Sequence, residues 1–220
     1  MTPRGRWITG ALALAALACG DIASPLRSDF YEWRRFEPSA TGIDTVSFHW
    51  PKDRLPVRVW VEDANDLPAD ISLAITAWRG AFLYREFDAT VVSDSNGADV
   101  IVRSGSPTAL SLSLIRLHSA LAPQCAGETD IDISDDHQDL RLPIRIFVDP
   151  KLDPGAPGLA ECVALTAMHE FGHSLGIFEH SPTPTDLMFI DPTVSQPSER
   201  DRTTAEMLYH VPSTVQIVEP

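Results

Sequence analysis

The sequence predicts an α+β domain in which a twisted mixed β-sheet is backed by helices. Three observations carry that class. Short runs of alternating apolar and polar residues recur through the middle of the chain, one amphipathic helical stripe separates the first run from the others, and a long helical segment follows the last.

The elements follow in chain order. Leu55-Pro-Val-Arg-Val-Trp-Val61 alternates and reads as a strand. Residues 63–66 turn the chain, and Ala69 to Tyr84 reads as a helix with Ile71, Ala74, Ile75, Trp78 and Phe82 at three-and-four spacing, a core-facing stripe. Ala89–Val92 and Ala98–Arg103 read as two short strands around Asn96-Gly97, a hairpin-type turn signal. Leu110 to Leu121 fits strand and helix equally well. Asp130–Ile133 and Leu142–Val148 add two strands. After Pro154-Gly-Ala-Pro157-Gly158 a helix starts at Leu159 and runs into His169-Glu-Phe-Gly-His173-Ser-Leu-Gly176.

With 220 residues, 44% hydrophobic and 22% charged, the bulk of the chain is globular and large enough to bury a core. Its formal net charge is −14. Binding to phosphate backbones depends on a Lys/Arg patch that this composition lacks, so nucleic acid is excluded as a partner. A monomer is expected.

Residues 1–18 read as an export signal. Arg4 and Arg6 precede an apolar run from Trp7 to Ala18, which rises only about 18 Å as a helix against a ~30 Å hydrocarbon core. Ala15-Ala16-Leu17-Ala18-Cys19 resembles a bacterial lipobox, in which Cys19 would carry the acyl groups. Ordinary cleavage after Ala18 fits the small-x-small rule as well. Cysteine arithmetic favours lipidation, because it leaves Cys125 and Cys162 as an even pair for a disulfide in an oxidising compartment. The expected location is then the cell envelope, with a lipid anchor in the outer membrane or at the cell surface, or the medium if Cys19 carries no lipid. Residues 19–50 are expected to form a tether and an N-terminal segment whose aromatics, Phe30 to Trp50, pack on the surface of a domain spanning 51–220.

Histidines four apart on a helix lie about 40° apart in azimuth and one turn apart in height, so His169 and His173 can reach one metal ion. Glu170 is offset by about 100° from His169, off the metal but beside a metal-bound water. Two ligands and one general base are what metal-assisted hydrolysis requires. Gly176 suits the sharp stop that a ligand-bearing helix needs. His180 then offers a third ligand within one loop, and Leu187-Met188-Phe189 follows.

On these residues the chain resembles a metzincin zinc metalloprotease, most nearly a matrixin-type domain: His169-Glu170-x-x-His173-x-x-Gly176, then His180-Ser181, then Thr185-Asp186-Leu187-Met188-Phe189 as a Met-turn. The resemblance implies a zincin-like twisted sheet above an active-site helix, one catalytic zinc held by three His, and Met188 packed beneath the metal. It also implies a C-terminal helix over Ser198–Tyr209, with Ser198 and Asp201 as its capping signal. An edge strand, for which Asp130–Ile133 is the candidate, would take an extended peptide by strand addition. One departure stands out. The third His of the family pattern falls where this chain has Glu179, and His180 comes one residue late. Glu179 can ligate zinc and is a rival, but a one-residue bulge in a loop costs little, and His180-Ser181 keeps the family's pairing. The ligand set His169, His173 and His180 leaves a position for water, whose proton Glu170 would take and deliver to the leaving amine.

The expected activity is therefore zinc-dependent cleavage of protein or peptide substrates. A zinc-dependent peptide-binding protein without turnover and a zinc amidase of the cell wall are the alternatives. Asp130, Asp132, Asp135, Asp136, His137 and Asp139 could hold calcium, although their spacing follows no EF-hand and a solvated acidic loop is the plainer reading. His49, His118 and His210 stand alone and read as structural or surface residues. Ser111 and Ser113 lack a nucleophile-elbow context, which leaves a serine hydrolase without support.

Overall fold

The computed structural model describes residues 29–107, 114–121 and 125–218 of the chain. The export signal, Cys19, Ser111 and Ser113 lie outside the described residues.

A two-stranded antiparallel hairpin comes first, β1 (Arg35–Ser39) and β2 (Gly42–Val46). The main sheet has seven strands: β3 (Val57–Val61), β4 (Ala89–Val92), β5 (Val100–Ser104), β6 (Leu114–Leu121), β7 (Cys125–Ile133), β8 (Asp139–Pro150) and β9 (Gln216–Val218). Its order is β4-β3-β5-β8-β7-β6, with β9 paired to β8. β4, β3, β5 and β8 run parallel, whereas β7 is antiparallel to β8 and β6 antiparallel to β7. Three α-helices accompany it among the described residues: α1 (Leu67–Arg79), α2 (Leu159–Ser174) and α3 (Glu199–Tyr209).

Local rules account for most of these elements. In β3 the valines 57, 59 and 61 are buried while Arg58 faces out, the period-two pattern of a strand with one core face. In α1 the stripe Ile71, Ala74, Ile75 and Trp78 is buried. The helix ends at Arg79, earlier than the periodicity suggested. Phe82 is buried from the turn beyond. The Trp78 indole N–H donates to Met168 O at 3.0 Å, which docks α1 on α2. Helix α3 opens with the expected capping box: Asp201 N donates to Ser198 Oγ, and Ser198 N donates to the Asp201 carboxylate.

Three expectations are corrected and one open reading is resolved. The Asn96-Gly97 turn makes no hairpin, because β4 and β5 lie on opposite sides of β3 and parallel to it. Asp130–Ile133 is no edge strand. It ends the longer β7, whose residues 130–132 pair with β6, while Asp130 and Asp132 also pair with β8. The ambiguous Leu110–Leu121 stretch supplies that covering strand over its described part, Leu114–Leu121. Finally, Tyr31, Trp33, Phe48 and Trp50 are buried rather than laid on the surface, and they belong to one core with the sheet and α2. The core of the described residues thus runs across residue 51.

Cys125, the first residue of β7, is bonded to Cys162 in α2 across 37 residues of chain. The bridge ties that strand to the helix two turns before His169. Closing a loop of that length restricts the unfolded chain by about 4 kcal/mol at 25 °C. The double variant Cys125→Ser, Cys162→Ser is therefore expected to lose about 2–4 kcal/mol in denaturant unfolding, with metal binding retained at low temperature.

Candidate metal centre

Helix α2 brings two of the imidazoles together by its own pitch. His169 and His173 are fully buried, their Nε2 atoms 3.2 Å apart and their ring centroids 4.9 Å apart. Their Nδ1 atoms face backbone carbonyls, Leu187 O at 2.7 Å for His169 and Ile177 O at 2.5 Å for His173. A carbonyl only accepts, so each Nδ1 must carry the proton and each Nε2 must present a lone pair. Two lone pairs at 3.2 Å repel unless a cation lies between them.

The third imidazole arrives through a turn that only glycine permits. Gly176 has φ +107°, and a Cβ there would sit 1.8 Å from Phe48 O. The Trp50 indole donates to Ser174 O at 2.9 Å, satisfying one carbonyl at the helix end. Phe178 N then donates to Trp33 O at 2.8 Å, fastening the outgoing loop to the N-terminal segment. Glu179 turns outward and pairs with Arg35 at 3.2 Å. His180 turns inward, its ring 5.4 Å from that of His169 and 5.0 Å from that of His173. The extra residue before His180 is absorbed in this way, and the loop brings His180 rather than Glu179 to the cluster. The His180 Nε2 is buried with no hydrogen-bond partner among the described residues.

Among the described residues, His169, His173 and His180 form the one group of three or more His, Cys, Asp or Glu side chains whose ligand atoms all lie within 4.8 Å of one another. The cluster can hold a metal ion. A buried Nε2 and two opposed lone pairs are groups that a cation would satisfy, and an all-imidazole set suits zinc, copper, iron or nickel better than calcium or magnesium. The acidic residues considered for calcium do not converge. Asp132 pairs with Arg141 at 3.3 Å, Asp136 accepts from Ser134 at 2.5 Å, and His137 meets Asp44 at 3.0 Å. Of the lone histidines with described side chains, His49 stacks near Tyr209 and His210 meets Glu86.

Burial dictates the protonation of the cluster. It pushes His169 down to about 3, helped by the neighbouring His180, takes His173 well below the ordinary 6.5, and brings His180 to about 4. In the unfolded chain these rings protonate near 6.5. Between those values the unfolded state binds protons that the metal-free native state refuses, so native stability falls as pH falls. The slope is about 1.4 kcal/mol per pH unit for each ring that stays neutral. Metal-free protein is expected to show a thermal midpoint that drops steadily from pH 6.5 towards pH 4.

Glu170 points from α2 towards β7. It is fully buried, and its Oε2 accepts from Thr129 Oγ1 at 2.6 Å. A Cβ at Gly127 would lie 2.3 Å from Glu170 Oε1, so a strand residue with no side chain is what lets the carboxylate reach this position.

Met188 is fully buried beneath the helix: a Cβ at Gly172, between the two helical histidines, would meet its Sδ at 2.5 Å. The turn that carries it hangs from one carboxylate. Asp201 accepts from Leu187 N at 2.7 Å, Met188 N at 3.3 Å and Tyr31 Oη at 2.7 Å. Leu187 O in turn receives His169 Nδ1, so Asp201 positions a candidate ligand through the turn. Sequence reasoning read Asp201 only as a helix cap and assigned nothing to Tyr31, Thr129 or Gly127. Gly127 lies ahead of the Asp130–Ile133 run, outside the strand pattern that the sequence shows, so its close approach to Glu170 carried no local signal. The partners of Tyr31 and Thr129 lie 170 and 41 residues away, and no local pattern reports them.

Comparison with models of known protein families and with curated proteins gives no match for this chain.

Proposed function

We propose that this protein is an exported zinc endopeptidase of metzincin type, with His169, His173 and His180 holding the metal and Glu170 acting as general base. The observation that carries this reading is the cluster itself, three neutral imidazoles within 4.8 Å of one another with a buried carboxylate at the next residue of the helix. When bound there, zinc supplies Lewis acidity, lowering the pKa of a coordinated water and polarising a peptide carbonyl. The residues of the chain do the rest. Glu170 takes a proton from the attacking water at a carboxylate oxygen and returns it to the leaving amine nitrogen. The Thr129 hydroxyl holds Oε2 and so limits the carboxylate to one orientation. The backbone carbonyls of Leu187 and Ile177 fix the tautomers of His169 and His173, as outer-shell acceptors do for histidine ligands.

Strand addition at Asp130–Ile133 does not enter this proposal, because that segment is already paired with β6. Export rests on residues 1–18, and no helix among the described residues is long and apolar enough to cross a membrane.

The test is a mixed peptide library incubated with the protein before chelation, after chelation and after zinc is restored. Cleavage that disappears and returns with zinc supports the reading. Stoichiometric zinc with no peptide cut favours a binding protein without turnover, and release of amines from cell-wall cross-links alone favours an amidase.

A further inference from the structure

We infer that Asp186 is a positioning residue for the third ligand, its buried carboxylate holding His180 at the metal through Ser181. The inference rests on the proposed zinc centre and deepens it. His169 and His173 take their places from the pitch of α2, and each has a carbonyl at its Nδ1. His180 stands in a loop, so its place depends on what fixes the backbone on either side. Before it, Phe178 N donates to Trp33 O at 2.8 Å. After it comes Ser181, which is buried and whose N donates to Met188 O at 2.8 Å. The Ser181 hydroxyl donates to the Asp186 carboxylate.

Asp186 is the junction of three segments. Beside Ser181, its Oδ1 accepts from Ser198 Oγ, at the N-cap of α3, at 2.9 Å, and its Oδ2 forms an ion pair with Arg200 Nε at 3.1 Å. Arg200 Nη2 also donates to Ser181 Oγ at 3.3 Å, and Thr183 N to the same oxygen at 3.2 Å, so the hydroxyl is held from more than one side. The Asp186 backbone closes the turn that carries Met188: its N donates to Thr183 O at 3.0 Å, and Phe189 N donates to its O at 3.2 Å. One carboxylate thus couples the residue after His180 to that turn and to the start of α3.

Direction, rather than stability, is what an acid adds at this position. A buried carboxylate loses its hydration at a cost of several kcal/mol, and apolar residues of similar size fill such a corner as well or better. Its hydrogen bonds, however, have restricted lengths and angles, and with partners on three segments the carboxylate admits one arrangement of them. Because Ser181 adjoins His180, a shift of the Ser181 hydroxyl moves the imidazole out of a cluster whose ligand atoms lie within 4.8 Å of one another. Asp201 reaches His169 by a separate route, through Leu187. The two aspartates therefore divide the ligands, one steadying a ligand on the helix and the other the ligand on the loop.

The experiment measures the zinc affinity of the full chain by competition with a chromophoric chelator, beside the thermal midpoint of the metal-free protein. Ser181→Ala and Asp186→Ala are expected to weaken zinc binding about 10- to 100-fold, the usual loss when an outer-shell partner is removed. The double variant should lose no more than the worse single one, since both changes break one link. Asp186→Asn still accepts from Ser181 and should bring the affinity back near that of wild type. Ser198→Ala is the control for a merely structural role. It takes a hydroxyl from the same carboxylate and the cap from α3, so it should lower the midpoint and leave zinc affinity unchanged. With cobalt in place of zinc, the visible bands should change in Ser181→Ala and not in Ser198→Ala. If Asp186→Ala fails to fold, Ser181→Ala and Asp186→Asn still decide. Wild-type affinity in Ser181→Ala, or an equal loss in Ser198→Ala, overturns the inference and leaves the zinc centre standing. A wild-type chain that binds no zinc overturns the centre and the inference together.

Discussion

Glu170→Gln is expected to keep its zinc and lose peptide cleavage, with kcat reduced by about 10²- to 10⁴-fold, the usual contribution of a positioned general base. The substitution preserves shape, so the amide still fits beneath Gly127 and still accepts from Thr129 Oγ1, which holds the present carboxylate at 2.6 Å. What it removes is the ability to take a proton. KM should move little, because in the proposed role Glu170 acts on the attacking water rather than on the peptide. Steady-state kinetics with metal analysis of the same sample checks this. A variant that keeps near-normal kcat would show that another group moves the proton, and one that loses its metal would mean that Glu170 contributes to holding the ion.

Gly176→Ala is expected to be the most destabilising Gly→Ala change among the described glycines. Two effects coincide there: a φ of +107°, where an L side chain is strained, and a Cβ position 1.8 Å from Phe48 O. Backbone offers no rotamer through which to escape, so the segment around Phe48 or the end of α2 must move, at a cost above the ~1–3 kcal/mol of ordinary overpacking. Gly155 separates the two effects. It has φ +80° with no described residue within 4 Å of its Cβ position, so Gly155→Ala should cost only the conformational strain of about 1–2 kcal/mol. Denaturant midpoints of the two variants, compared with wild type, measure the difference. Because His173 Nδ1 leans on Ile177 O and Phe178 N on Trp33 O just beyond Gly176, the variant should also bind zinc more weakly than Gly155→Ala does.

The candidate site was largely legible in the sequence because its main parts are local. Helical pitch alone places His169 above His173 and turns Glu170 aside, and the capping box of α3 spans four residues. The Cys125–Cys162 bridge followed from counting cysteines in a chain whose first residues read as an export signal, a constraint that needs no geometry. What escaped were non-local pairings. Asp130–Ile133 has the alternation of a half-buried strand whether it is an edge or is paired on both sides, and nothing within it reports β6. Asn96-Gly97 marks a turn correctly, but a turn signal does not say whether the next strand pairs with the last or passes over its neighbour. Tyr31, Trp33, Phe48 and Trp50 sit in a stretch mixed with Ser, Pro and acidic residues, and their burial depends on partners such as Asp201, Phe178 and Ser174, more than 100 residues on. His180 was preferred over Glu179 already on the His180-Ser181 pairing; what the sequence did not show is Arg35, 144 residues earlier, which pairs with Glu179.

Zinc content per chain in wild type, His180→Ala and Glu179→Ala tests most directly whether the three histidines hold one ion. One zinc in wild type and in Glu179→Ala, with loss in His180→Ala, is the predicted result. Full zinc in His180→Ala, or loss in Glu179→Ala, would contradict it.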